Sequence, residues 1–171
     1  MKGTIVSTWL KTLKKIYGNK IVYDARKKVN WKSTKIFTPS EDVNDSDIKK
    51  VISYVAKEKG INIKDLWKTI GIDNITSFHK DFPAFFEQEN LYSFFKSMFN
   101  IHIVMTKRFK GAKPPILILK PISKHSAIFT YNSKRGMFDY FLGLIEGSAK
   151  FFNEKISIEE IEKNQDSMKL K

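Results

Sequence analysis

The chain has 171 residues, 42% of them hydrophobic and 13% aromatic with 14 Phe, which suits one packed domain with a sizeable core and excludes a disordered tail. It has no cysteine, which excludes disulfides, zinc–thiolate sites and thiol chemistry. The net charge is +13, yet among 31 basic residues only Arg26, Arg108 and Arg135 are arginine, so a basic nucleic-acid-binding surface is the weaker reading of that charge.

Met1 to Val6 shows no signal-peptide pattern, and nothing in the chain offers the ~20 apolar residues of a bilayer span. A soluble cytoplasmic domain without membrane contact is expected. Lys2 to Tyr17 reads as a helix, with Ile5, Trp9, Leu13 and Ile16 on one face and Gly18 as its stop. A short helix carries Ile21, Val22 and Ala25, and a polar connection with Pro39 follows over 34–42. Asn44 or Asp45 caps a third helix with Ile48, Val51, Ile52 and Val55 inward, ended by Gly60. Asn62 opens a fourth, which is expected to stop at Gly71, and Asp73 to Thr76 start a separate short helix bearing Phe78 and His79.

Asn90 caps the next helix. Leu91, Phe94, Phe95, Met98, His102 and Met105 fall at i, i+3, i+4, i+7, i+11 and i+14, which is one helix face with His102 as its titratable member. Phe99 and Ile103 widen the apolar surface, so burial on more than one side is expected. A histidine there is either a satisfied core residue or an axial metal ligand, and the helix alone favours the first.

After Gly111-Ala112-Lys113-Pro114-Pro115 the period changes. Ile116 to Lys120 and Ala127 to Tyr131 read as a strand pair around a turn holding His125, and Phe138 to Phe152 as a helix whose Gly143 and Gly147 admit a close neighbour. Ile156–Ile161 and Met168–Leu170 look like further strand, and the end of the chain within that alternation suggests a last strand cut short. His79 and His125 are expected at the surface. No carboxylate pair, phosphate loop or nucleophile motif points to an enzyme.

Tyr131-x-Ser133-x-Arg135 supplies the second signal. On an extended segment i, i+2 and i+4 share a face, which presents a phenol, a hydroxyl and a guanidinium to a carboxylate pair. Beside an apolar histidine helix, this donor row makes sense as a porphyrin site, with the histidine on iron and the donors on the propionates.

The sequence resembles the heme nitric oxide/oxygen-binding (H-NOX) family, the domain type also used as heme sensor by soluble guanylate cyclases. The resemblance is carried by Met1 to Val6, Ile101-His102, Gly111 to Pro115, the Tyr131-x-Ser133-x-Arg135 motif and Asp139 to Ser148, and runs over essentially the whole chain. It implies an α+β fold: a helical subdomain over about 1–60 and a heme-binding α/β subdomain over about 61–171, with an antiparallel sheet, a long helix and heme b (iron protoporphyrin IX) buried between the layers.

It further implies that His102 is the proximal iron ligand and that Tyr131, Ser133 and Arg135 bind the propionates. Pro115 would press on the porphyrin, while Ile5, Phe78, Met98 and Leu144 line the pocket. Tyr140, braced by Trp9 and Asn74, marks the dioxygen-competent members. Dioxygen on ferrous heme has partial superoxide character, so a phenol O–H stabilises it more than it stabilises NO.

The function so implied is sensing of NO or dioxygen, with CO as a further ligand. Release or strain at His102 would pass to a fused or separate output module: a methyl-accepting chemotaxis protein, a histidine kinase or a diguanylate cyclase. A passive dioxygen carrier would use the same pocket.

Overall fold

The computed structural model describes residues 1–171. In chain order the elements are α1 (Gly3–Tyr17), α2 (Asn19–Lys27), α3 (Asp45–Lys59), α4 (Ile63–Asp81), α5 (Leu91–Arg108), β1 (Ile116–Ser123), β2 (Ser126–Asn132), α6 (Phe138–Phe151), β3 (Glu160–Lys163) and β4 (Ser167–Leu170). A 3-10 turn at Pro83–Phe86 joins α4 to α5. The strands form one antiparallel sheet in the order β1-β2-β4-β3. This is the expected α+β arrangement. No helix is long and apolar enough to cross a membrane.

Asparagine starts three of the helices. The side chains of Asn44, Asn62 and Asn90 accept from the backbone N–H groups of Ser46, Lys64 and Ser93 at 3.0, 2.9 and 2.8 Å, satisfying donors that the first turn leaves unpaired. Gly60 closes α3 in the left-handed conformation, φ 63°.

Two cores result. Val6, Trp9, Leu10 and Leu13 of α1 meet Val22 and Ala25 of α2, Ile48 to Val55 of α3, and Leu66 and Ile70 of α4. Phe129 and Tyr131 of β2 and Met168 and Leu170 of β4 lie two apart, so they share a sheet face, which packs on Phe138, Phe141 and Ile145 of α6.

Four expectations need correction. Ile16 is 40% exposed, because it sits in the last turn of α1, where the chain reverses at Gly18; Leu10 joins the core instead. Helix α4 runs unbroken through Gly71, so the two helices expected there are one. Gly71 is a place of close approach and not a stop: a Cβ there would collide with the Tyr140 carbonyl of α6. Gly143 meets the Lys68 carbonyl in the same way, and a Cβ on Gly147 would stand 2.8 Å from the Ile72 carbonyl oxygen.

The outer side of α5 is open. Phe99 is 61% and Ile103 38% exposed, so the helix buries one face only and its outer apolar residues have no cover within the chain. Finally, Tyr131 to Arg135 is not one extended row. Strand β2 ends at Asn132, and a turn closed by the Gly136 N–H on the Ser133 carbonyl, 3.0 Å, folds Arg135 back.

Candidate heme and gas site

A cavity of about 300 Å³ opens between α1, α4, α5, the strand pair and α6, at the small end of the range for ligand sites. Its lining is mainly apolar and includes Ile5, Phe78, Met98, Pro115 and Leu144, together with Trp9, His102, Tyr131, Ser133, Arg135 and Tyr140. All the candidate residues except Asn74 therefore meet in one space. Asn74 is fully buried and stands behind Tyr140. His79 and His125 are exposed and away from it, as expected.

His102 arrives on the inner face of α5. Its Nδ1 lies 3.1 Å from the Pro115 carbonyl oxygen. A carbonyl only accepts, so Nδ1 carries the proton and Nε2 keeps its lone pair. Burial pushes the imidazole pKa down, against the pull of the Pro115 bond, so the ring is neutral at pH 7. A neutral ring with one nitrogen tied to backbone is the form in which histidine ligates metals. No group of three His, Asp or Glu side chains gathers anywhere to hold a free ion. One neutral imidazole on a mainly apolar cavity could hold a metal that brings its other ligands with it.

Arg135 sets the polar end. Its Nε donates to Asp45 Oδ2 at 2.7 Å and Nη1 to the Lys113 carbonyl at 2.7 Å. Its backbone N–H reaches Ser133 Oγ at 3.3 Å. Lys2 and Lys113 line the same cavity. Burial pushes the Tyr131 phenol pKa up, while the Ser133 hydroxyl and the Arg135 charge oppose it. Three cations and two hydroxyls around an apolar slot suit carboxylate tails on a flat apolar body.

Tyr140 occupies α6 across from α1 and α4. Its O–H donates to Asn74 Oδ1 at 3.0 Å, and its ring meets Trp9 edge-on at 5.1 Å. Burial pushes the phenol pKa far above its ordinary value, with the Trp9 indole N–H pulling the other way, so the group is a donor and not an anion. The Trp9 N–H is buried without a well-formed hydrogen bond. An orphaned buried donor beside a phenol oxygen can hold that oxygen once the phenol proton turns elsewhere.

Ile75, Phe82 and Met105 also line the cavity. Ile75 escaped the sequence reading, although its i, i+3 spacing to Phe78 on one helix was the available signal. Thr12, on the polar side of the α1 stripe, escaped too; it proves to be 1% exposed and bonded to Asn74.

The haem-NO-binding family profile matches residues 2–160. Among curated proteins nothing matches the sequence. Among solved structures, an oxygen-binding H-NOX domain related to soluble guanylate cyclases, in its oxygen complex, is 43% identical with a TM-score of 0.91, covering 99% of this chain and 93% of its own. A Cs H-NOX mutant with 4-cyano-L-phenylalanine at site 5 is 43% identical with a TM-score of 0.94, over 99% of this chain and 94% of its own. The I5F mutant of T. tengcongensis H-NOX is 43% identical with a TM-score of 0.93, over 99% and 95%. A profile match over nearly the whole length, on this fold and around this cavity, places the chain in the haem-NO-binding (H-NOX) family.

Proposed function

We propose that this protein senses diatomic gases through heme b, with His102 as the iron ligand and Tyr140 as the donor that admits dioxygen as well as NO and CO. One observation carries the reading: a neutral imidazole whose free nitrogen is Nε2 shares a mainly apolar cavity with a phenol that cannot ionise at neutral pH. The neighbour solved as an oxygen complex, 43% identical, supports the dioxygen arm.

When bound, heme would supply a ferrous iron able to take a diatomic gas. The chain's own residues do the rest. His102 Nε2 would hold the iron, and the Pro115 carbonyl, which orients the ring, would strengthen it as a ligand. Arg135, Ser133 and Tyr131 would receive the propionates. The apolar walls exclude water. The Tyr140 O–H offers a hydrogen bond to the outer atom of a ligand that gathers negative charge, which dioxygen does more than NO.

Sensing, beyond binding, needs a two-state element that the gas biases. Helix α5 suits that role: its inner face carries His102, and its outer face presents Phe99 and Ile103 without cover. A shift of α5 and the N-terminal helical layer would reach a chemotaxis receptor, a histidine kinase or a diguanylate cyclase, fused or separate.

The test is an optical spectrum of the purified protein, reduced and then exposed to air and to NO, followed by hydrogen exchange across α5. Heme bands that shift with both gases and altered exchange in α5 are expected. Gas binding with unchanged exchange would make the protein a carrier, and the absence of heme bands would end the proposal.

A further inference from the structure

Behind Tyr140 a chain of hydrogen bonds leads out of the pocket. Tyr140 O–H donates to Asn74 Oδ1 at 3.0 Å, Asn74 Nδ2 donates to Thr12 Oγ1 at 2.8 Å, and the Thr12 hydroxyl donates to Asp73 Oδ2 at 2.7 Å. Asp73 ends the chain in a salt bridge with Lys15. Asn74 is 0% and Thr12 1% exposed, so neither has bulk water as an alternative partner.

The direction of this chain is determined at its far end. A carboxylate only accepts, so Thr12 must spend its one proton on Asp73. The Thr12 oxygen is then left to accept, which turns the Asn74 amide N–H toward it and the amide oxygen toward Tyr140. That oxygen takes the phenol's one proton. Every donor points away from the pocket.

Donation to a gas demands the opposite direction. The phenol proton must leave Asn74, whose buried oxygen then needs another donor. If the amide turns over, its N–H supports the phenol oxygen, and its own oxygen faces Thr12. Thr12 can satisfy it only by withdrawing its proton from Asp73. The unpartnered Trp9 N–H can support the phenol oxygen in this state too.

We propose that Asp73 is a remote positioning residue that, through Thr12 and Asn74, holds the relay in the direction withholding the Tyr140 proton from the gas, and so lowers dioxygen affinity. This rests on the reading of Tyr140 as the donor to dioxygen. A group at the edge of the helical layer thereby tunes a ligand it never touches.

The test uses the heme-loaded protein. Asp73→Ala removes the competing acceptor, and Asp73→Asn keeps the size while losing the charge. Asp73→Ala should slow dioxygen dissociation about three- to tenfold, the scale of one neutral hydrogen bond, and Asp73→Asn, whose amide oxygen can still accept, should slow it less. The Asn74 side-chain amide resonances of the ferrous carbon-monoxide form should shift as their acceptor changes. Adding Thr12→Val to Asp73→Ala should abolish the gain, and in a Tyr140→Phe background Asp73→Ala should have no effect. A bracing role alone predicts faster dissociation; that result, or an unchanged rate in Asp73→Ala whatever the amide resonances do, overturns the proposal. If Tyr140→Phe by itself leaves dioxygen loss unaltered, the failure lies in the gas-binding reading.

Discussion

The Pro115 carbonyl oxygen lies 3.1 Å from Nδ1 of His102, so the connection that follows α5 decides which nitrogen of the histidine is free. The Pro114-Pro115 pair narrows the positions open to that carbonyl, because both φ angles are locked by their rings. The helix carries the histidine, and the break after it supplies the ring's orientation.

His102→Gly should remove axial ligation while leaving a hole of imidazole size. The reduced protein should lose its five-coordinate histidine spectrum and regain it with added imidazole. A spectrum indistinguishable from wild type would remove His102 from the iron.

Tyr140→Phe keeps the ring contacts with Trp9 and deletes one donor. A hydrogen bond to a charged partner is worth about 1.5–3 kcal/mol, so dioxygen should dissociate roughly ten- to a hundredfold faster, with NO dissociation nearly unchanged. Stopped-flow measurement with both gases checks this, and equal effects on the two would mean that the phenol does not discriminate.

Asp45 links the helical layer to the polar end of the cavity, accepting from the Met1 ammonium at 2.6 Å and from Arg135 Nε at 2.7 Å. Burial alone would raise its pKa, but these two cations outweigh it and hold the value below the ordinary 3.8. A depressed folded-state pKa gives stability that is present above the unfolded value and lost as pH falls through the folded one. Thermal unfolding followed downward from pH 5 should therefore show a loss below about pH 4 that Asp45→Asn lacks, with the variant less stable at neutral pH. Parallel pH profiles for the two proteins would count against the pairing.

Gly143→Ala adds a methyl group where α6 touches the Lys68 carbonyl of α4. Backbone cannot move aside as a side chain can, so the helices must separate, at a cost of about 1–3 kcal/mol. Denaturant unfolding should show the loss, and dioxygen kinetics should change as well, because Tyr140 sits one turn earlier on α6. An unaffected midpoint would mean that the helices part freely.

Much of this was readable from residue order because it is periodic or local. The α5 stripe, the asparagine caps, the strand pair and the H-NOX motifs follow from spacing along one element. What failed depended on neighbours. Gly71 reads as a stop until α6 is seen lying against it, and Phe99 reads as core until that side of α5 is found uncovered. The Tyr131–Arg135 donors were recognised, but their extended geometry was wrong, since the turn after Asn132 is held by Asp166, whose carbonyl accepts from Ser133 N–H at 2.7 Å, more than thirty residues away.

By itself the sequence determined the family and the fold class and singled out the residues that the structure brings to one cavity, since these rest on residue types at fixed short separations. Only the tertiary structure decided the hydrogen-bonding states of those residues. The free nitrogen of His102 depends on a carbonyl thirteen residues on, and the direction of the Tyr140 proton depends on Asp73 through Thr12. Hydrogen bonds have donors and acceptors, and which way they run is a property of the assembled network, invisible to any one segment of the chain.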